Sequence, residues 1–172
     1  GFEATLGYRH GPLSLRAGYA LTDATFRTPF ILNSPDNPSA NGSGEIEVRP
    51  GDRLPGVPRH RALLSADYQR DRWSVGADVQ AASGQYLFGD EANLEPRTRA
   101  YVLANVRASA KLVGSLGLFG EVTNLFDRHY ATYGTFTETD QVFIREAPGA
   151  SNPRTLSPGE PRRLTVGLRA DF

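Results

Sequence analysis

Three histidines are the first residues to consider for catalysis or metal binding: His10, His60 and His129. No two of them stand at a spacing typical of metal ligands, and the chain has no cysteine. The sequence also lacks a Ser-His-Asp order, a phosphate-binding glycine loop and a carboxylate pair of defined spacing. Isolated polar histidines are the favoured interpretation, although His60 and His129 could share a site. The sequence therefore predicts no enzymatic activity, no metal site and no cofactor.

Charged side chains in two long polar segments are the next candidates, because carboxylates and guanidinium groups on loops can bind a ligand. The alternative for each of them is a solvated loop surface. The candidate ligand contacts are Asp90, Glu91, Glu95, Glu138, Asp140, Arg145 and Arg154.

The elements that must position these residues are seven segments in which apolar and polar residues alternate with a period of two, the pattern of β-strands. The last shows it most clearly: Leu164, Val166, Leu168, Ala170 and Phe172 oppose Arg163, Thr165, Gly167, Arg169 and Asp171. The sixth segment, Ser115 to about Leu125, is less regular, since Phe119 falls on its polar side.

The connections between these segments alternate in length. Tight turns are predicted at His10-Gly11-Pro12, Arg70-Asp71 and Val113-Gly114. Long polar loops are predicted at about 25–58, 84–98 and 127–161, which is uncommon in a compact soluble domain. Short periplasmic turns and long external loops are typical of outer-membrane barrels. Aromatic residues near the tight turns and the last strand's end then form a periplasmic girdle: Tyr8, Tyr68, Trp73 and Phe172.

Composition is compatible with this interpretation. Lys+Arg and Asp+Glu both number 19, so no basic patch for nucleic acid is indicated. The mean hydropathy of −0.41 suits a barrel in which only alternate residues face lipid.

A one-residue slip of the last strand would exchange its faces. Each arginine then placed near the bilayer midplane would cost about 2–4 kcal/mol.

The polar faces of the strands are accordingly predicted to line the lumen. The lumen-facing set comprises Arg61, Asp67, Asp78, Arg107, Lys111, Glu121, Arg163, Arg169 and Asp171.

Three segments resemble those of TonB-dependent receptors. Leu54 to His60 resembles the family's proline-containing segment before a strand, and Glu121 to Tyr130 resembles its Asn-Leu-Phe-Asp segment near the barrel's end. Val166 to Phe172 resembles its final strand, which closes on a C-terminal Phe. The residues that carry the resemblance, read as structural, are Pro55, Pro58, His60, Asn124, Leu125, Phe126, Asp127, Tyr130 and Phe172.

The resemblance implies an all-β fold, namely an antiparallel transmembrane β-barrel of twenty-two strands with a plug inside it. Residues 1–172 would then be a C-terminal fragment of about seven strands, without plug or TonB box. The start at Gly1 without Met, and the odd strand count, agree with a fragment.

The expected function is active import of a scarce nutrient, most often a ferric siderophore, across the bacterial outer membrane. The expected partners are the rest of the barrel and plug, the TonB complex, the barrel-assembly machinery through Phe172, the ligand and outer-membrane lipid, but no nucleic acid.

Two other interpretations stay open at the level of sequence. One is a complete small outer-membrane barrel with a structural or adhesive role, its eighth strand lying near Gln141 to Glu146. The other is a soluble ligand-binding β domain.

Overall fold

The computed structural model describes residues 1–139, 145 and 147–170, and all its regular elements are β-strands. The predictions for Asp140, Asp171 and Phe172, and for an eighth strand at 141–146 apart from Arg145, fall outside the described residues. Among the described residues, no helix is long and apolar enough to cross a membrane.

One antiparallel sheet of seven strands contains every strand that the alternation predicts. Its order is β1, β2, β5, β6, β7, β8, β11. The strands are β1 (Phe2–His10), β2 (Leu13–Leu21), β5 (His60–Gln69), β6 (Trp73–Ala82), β7 (Tyr101–Lys111), β8 (Leu116–Thr123) and β11 (Arg163–Ala170). At 8–11 residues, these strands approach the length needed to cross a bilayer.

The predicted tight turns join β1 to β2, β5 to β6 and β7 to β8 at one end of the sheet. Gly11 and Gly114 have positive φ angles of 53° and 57°, a conformation that favours glycine. The long connections all lie at the opposite end. The predicted asymmetry of loop length is confirmed.

Two hairpins within the long connections correct the prediction that these segments are loops throughout. Strands β3 (Phe30–Asn33) and β4 (Glu45–Val48) pair in the first connection, and β9 (Ala131–Phe136) and β10 (Arg154–Pro158) pair in the third. Each strand has only four to six residues. A run this short carries too few alternating residues for its period to stand out.

Buried apolar side chains of the described residues lie mostly in the long connections. Ile46, Val48 and Ala92 form one cluster, while Leu87 and Phe136 are buried in the second and third connections. The apolar face of the large sheet is instead open, and Leu6, Leu64 and Val166 are 72%, 57% and 64% exposed. A soluble protein rarely leaves so wide an apolar surface uncovered. This arrangement argues against a soluble β domain and fits a sheet solvated by lipid.

The described sheet is open. Its edge strands, β1 and β11, each pair with one neighbour, β2 and β8 respectively, and not with each other. A small closed barrel would require a ladder between the two edges. The described part of the chain therefore does not form the complete small barrel considered above.

Candidate functional site

Polar side chains of the large sheet stand in rows across the strands, on the face opposite the apolar one. One row follows the register Arg9, Ser14, Asp67, Gly76, Arg107, Glu121 and Thr165. Its charged members alternate in sign, so that each has a residue of opposite charge one or two strands away. The antiparallel register therefore builds an electrostatic network that the isolated strands do not possess.

Arg107 is the centre of this network. Its guanidinium group pairs with Asp67, and its Nη1 lies 3.1 Å from Asp78 Oδ1. Asn105 Nδ2 donates to the second oxygen of Asp78 at 2.7 Å. Gly76 lies between these residues, and a Cβ atom there would be 2.9 Å from Arg107 Cζ. The missing side chain of Gly76 thus leaves the space that Arg107 occupies.

The network continues to Asn124, at the end of β8. The backbone N–H of Asn124 donates to Asn105 Oδ1 at 2.8 Å. Its side-chain amide donates to the carbonyls of Arg128 and Glu160, both at 3.0 Å, and its Oδ1 accepts the N–H of Arg128 at 2.8 Å. Asn124 is 4% exposed and has a φ of 48°. One buried side chain therefore ties β8 to the turn that follows it and to the segment before β11.

Other residues of the Asn-Leu-Phe-Asp segment extend this connection. Asp127 Oδ1 accepts the N–H of Arg162 at 3.0 Å, and the Leu125 N–H donates to Ala104 of β7 at 2.8 Å. Phe126 is 68% exposed. Tyr130 packs on Tyr101, with ring centroids 4.6 Å apart, and its ring covers Gly159. These contacts give the segment a structural role at the junction of three strands.

The segment before β5 is shaped by two buried prolines, Pro55 and Pro58. His60 begins β5, and its Nδ1 lies 2.8 Å from the hydroxyl of Tyr19. His10 stacks on Tyr8 at the opposite end of the sheet. His129 is exposed beyond the Asn124 turn. Within the described residues, no group of three or more His, Asp or Glu side chains is placed to hold a metal ion.

The remaining described members of the lumen-facing set also lie on the polar face. Glu121 is opposite Arg107, Arg61 is opposite Ala82, and Arg169 and Lys111 flank Gly117 from either side. Arg163 lies 3.8 Å from Glu160. That this face lines a lumen stays a prediction.

Asp90 is the most buried of the predicted ligand contacts, with an exposure of 0%. Its oxygens accept the N–H groups of Leu94 and Glu95, at 2.8 and 3.0 Å, and the amide of Asn37 lies 3.4 Å away. Burial raises the pKa of the Asp90 carboxyl above its ordinary value, and these hydrogen bonds partly oppose the rise. Asp90 thus lies inside the loops, where it joins the first long connection to the second.

Further hydrogen bonds join the three long connections. Asn93 exchanges two hydrogen bonds with the backbone of Arg53, which binds the second connection to the first. Gln85 Nε2 donates to the Thr132 carbonyl at 2.8 Å, and Phe88 N–H donates to the Gly134 carbonyl at 3.0 Å. The latter two contacts bind the second connection to the third. We call residues 25–58, 84–98 and 131–136 together the loop cap.

The other predicted ligand contacts are placed differently. Glu91 accepts the Gly89 N–H at 3.3 Å, and Glu95 accepts the Ser39 hydroxyl at 2.7 Å, so both serve contacts within the loop cap. Glu138 and Arg145 are exposed, and Arg154 begins β10. Contact between any of these residues and a ligand stays a prediction.

A groove of about 730 Å³ lies on the polar face where the sheet meets the loop cap. Its lining includes Arg61, Gln80, Gln85, Thr98, Tyr101 and Thr132. Of these six residues, sequence reasoning identified only Arg61. Gln85 and Thr98 are 13 residues apart, and their mutual hydrogen bonds bring them together where the second connection closes.

Comparisons with known proteins agree with this geometry. The sequence profile of the family described as "TonB dependent receptor-like, beta-barrel" matches residues 1–125. The metal-pseudopaline receptor CntO of Pseudomonas aeruginosa is 31% identical over 125 residues, 71% of this chain but 15% of its own length. The chain thus spans less than a sixth of that relative.

Two solved structures share the fold. The siderophore receptor PiuA of Acinetobacter baumannii superposes with a TM-score of 0.69 at 19% identity, over 96% of this chain and 21% of its own. The ferric-catecholate import receptor Fiu of E. coli superposes with a TM-score of 0.65 at 22% identity, over 99% and 20%.

Proposed function

Because this chain belongs to the TonB-dependent receptor β-barrel family, a family of outer-membrane transporters and not of enzymes, we propose that it forms part of the barrel wall of a receptor that imports a chelated metal. The observation that carries the proposal is the two-sided sheet. One face leaves aliphatic side chains exposed, and the other carries the network around Arg107. In this proposal the first face meets lipid and the second lines the lumen. The long connections then face the outside, and the tight turns face the periplasm.

The cargo that we propose is a metal–chelate complex, with a ferric siderophore as its most specific form. Two similar proteins support this choice by their names, the metal-pseudopaline receptor CntO and the siderophore receptor PiuA. The groove beside the loop cap, of about 730 Å³, has the volume for part of such a chelate, and its charged lining residues are Arg61 and Glu3. Apart from Asp90, which is buried within the loop cap, the charged loop residues predicted as ligand contacts belong to the same proposal.

The energy for import would come from TonB acting on a plug in a part of the receptor outside these 172 residues. The lumen-facing set would contact that plug and water. The barrel-assembly machinery would recognise Phe172. These partners are inferred from family membership.

Uptake by cells tests the proposal. A strain lacking the complete gene, and the same strain carrying it on a plasmid, are compared for uptake of radiolabelled iron, nickel and zinc, each supplied as a siderophore or other chelate. We expect the plasmid to restore uptake of at least one chelate, and expect that uptake to vanish when TonB is removed. Restoration without dependence on TonB would contradict the proposed mechanism. Restored uptake of nickel or zinc alone would contradict the proposal that the cargo is a ferric siderophore.

A further inference from the structure

A groove of about 1120 Å³ lies on the polar face of the large sheet, at the end that carries the tight turns. We call it the inner groove, because the orientation given under Proposed function places this end at the periplasm. It shares no lining residue with the groove beside the loop cap, and the network around Arg107 lies between the two. The inner groove is therefore a separate surface of the polar face.

One row of the inner groove is basic. Lys111 of β7 and Arg169 of β11 both lie opposite Gly117 of β8, one on each side. The N–H of Lys111 donates to the carbonyl of Arg72 at 2.8 Å, which extends the row to the residue before β6. All three cationic side chains are exposed. A Cβ atom at Gly117 would meet only two backbone carbonyl oxygens within 4 Å, so the space between Lys111 and Arg169 is open.

The charge of the inner groove is not balanced among the described residues. Its lining contains four cations, the three of the basic row and Arg70, but one anion, Asp71. Neither Arg72 nor Lys111 forms an ion pair with another described residue. In the middle of the sheet, by contrast, the guanidinium group of Arg107 pairs with two carboxylates. Because a concave surface lined mainly by one sign of charge concentrates the opposite ion, the inner groove attracts anions.

The next row toward the middle of the sheet adds hydroxyl groups and an aromatic ring. The hydroxyls of Ser74 and Ser109 lie 2.8 Å apart. Phe119 lies opposite Ser109, is 41% exposed, and covers Gly167 with its ring. An exposed ring beside cations and hydroxyls can contact the apolar part of a ligand that also carries negative charge.

From this combination we infer that the inner groove is a second binding site for an anionic metal chelate, occupied as the chelate leaves the lumen for the periplasm. Anionic oxygen donors hold hard metal ions, and a chelate with more donor charge than metal charge is an anion. Its carboxylates would lie over Gly117 between Lys111 and Arg169, and Phe119 would cover its organic part. Basic side chains select anions in pores, where a site must also bind weakly enough to release them. The inference rests on the proposed function for the identity of the anion.

Binding of a matched pair of probes to the purified complete receptor tests the inference. The probes are the dianionic gadolinium complex of diethylenetriaminepentaacetate and its neutral bis(methylamide), and binding is followed by water-proton relaxation. We expect saturable binding of the dianion, and R72Q/K111Q should weaken it by about tenfold or more, since charged hydrogen bonds are lost. The neutral probe should bind at least about tenfold more weakly than the dianion, for the same reason.

The control R16Q/R27Q removes two exposed arginines that lie outside the inner groove, and should change binding of the dianion by less than about twofold. R72K/K111R, which keeps both charges, should retain binding. Heat-modifiable migration on gels verifies that each variant folds. The inference would be overturned by equal binding of the two probes, by unchanged binding to R72Q/K111Q, or by an equal loss in the control.

Uptake by cells tests the role of the inner groove in release. With an anionic chelate whose uptake the unchanged receptor restores, we expect R72Q/K111Q to lower the maximal uptake rate severalfold, while surface binding of that chelate in a strain without TonB is unchanged. An unchanged uptake rate would overturn this role, as would increased entry of vancomycin, which would indicate that the cations hold the plug instead. Failure of the unchanged receptor to restore any uptake would contradict the proposed function alone, because binding of the gadolinium probes does not depend on uptake.

Discussion

Gly76 shows how one residue without a side chain permits the charged network on the polar face. Arg107 crosses the backbone at Gly76 to pair with both Asp67 and Asp78. Any side chain at this position would enter the space of the guanidinium group and of the Asp67 carboxylate. Glycine is therefore required at position 76 because Arg107 of β7 occupies the adjacent space, and not because glycine favours a β-strand.

We predict that Gly76→Ala destabilises the complete receptor by about 1–3 kcal/mol, the cost of overpacking. Gly18→Ala is a matched control on the polar face of β2, because a Cβ atom there meets nothing within 4 Å. Urea unfolding followed by tryptophan fluorescence measures both variants. A loss for Gly18→Ala as large as that for Gly76→Ala would contradict the steric explanation.

Asn124 stabilises the turn after β8 through hydrogen bonds. Its truncation in Asn124→Ala leaves the N–H of Arg128 and the carbonyls of Arg128 and Glu160 without their partner. We expect a loss of about 1–3 kcal/mol in the free energy of unfolding, because these groups surround a buried side chain. Asn152→Ala, which removes one hydrogen bond from an exposed asparagine in the same connection, should cost less. Equal losses in urea unfolding would show that burial is not the cause.

At the scale of the strand, alternation assigns each residue of β5 to one of two environments. Leu63 and Leu64 have the same chemistry, but Leu63 pairs with Gly18 and Gln80 on the polar face, whereas Leu64 pairs with Ala17 and Val79 on the apolar face. The two leucines are therefore a matched pair for testing which face meets lipid.

We predict that Leu64→Arg costs about 2–4 kcal/mol in the complete receptor, since it places a charge near the bilayer midplane. Leu63→Arg should cost much less, because its charge would lie among polar groups. Two measurements compare the variants. The first is barrel assembly in cells, measured as the heat-modifiable fraction in outer-membrane preparations. The second is urea unfolding in vesicles. If Leu63→Arg were the more damaging change, the assignment of the two faces would be reversed.

At the scale of the whole molecule, the described chain combines an open sheet with a loop cap that has its own small core. The sheet contributes few buried apolar side chains, because no second layer of the described residues covers its apolar face. The loop cap is exposed to water and packs around Ile46, Val48 and Ala92. Asp90 lies where two of its connections meet, so its ionisation affects the cohesion of the cap.

The raised pKa of Asp90 predicts how this cohesion varies with pH. Its folded-state pKa lies above the unfolded value of about 3.9, so between the two values the folded state binds more protons. The ionised carboxylate therefore costs stability at neutral pH, and that cost is relieved as the pH falls through the folded pKa. We expect Asp90→Asn to remove this contribution, so that its stability relative to the unchanged receptor rises with pH.

Thermal unfolding of the complete receptor between about pH 4 and pH 7 tests this prediction. The quantity compared is the difference in stability between Asp90→Asn and the unchanged protein at each pH. Glu138→Gln, at an exposed carboxylate, is the control and should give a difference that does not vary with pH. A constant difference for Asp90→Asn would show that the carboxylate does not titrate differently in the folded state.

Local sequence patterns predict the seven strands of the large sheet, their two faces, the tight turns and the family, because each of these depends on residues close together in the chain. Alternation of period two shows which residues of a strand share a face, and glycine at a turn indicates a positive φ. Phe119 was correctly placed on the polar side, where it covers Gly167 of β11. Asn124 and Asp127 were recognised as turn-forming residues for the same local reason.

Contacts between residues far apart in the chain depend on the tertiary fold. The pairing of Arg107 with Asp67 spans 40 residues, and the hydrogen bond between Asn37 and Asp90 spans 53. Strand register and loop packing create these contacts, and no local pattern encodes them. For this reason the sequence did not predict the short hairpins of the long connections or the burial of Asp90. Asp90, expected among exposed ligand contacts, is buried because two loops close over it and supply the hydrogen bonds that a buried carboxylate requires.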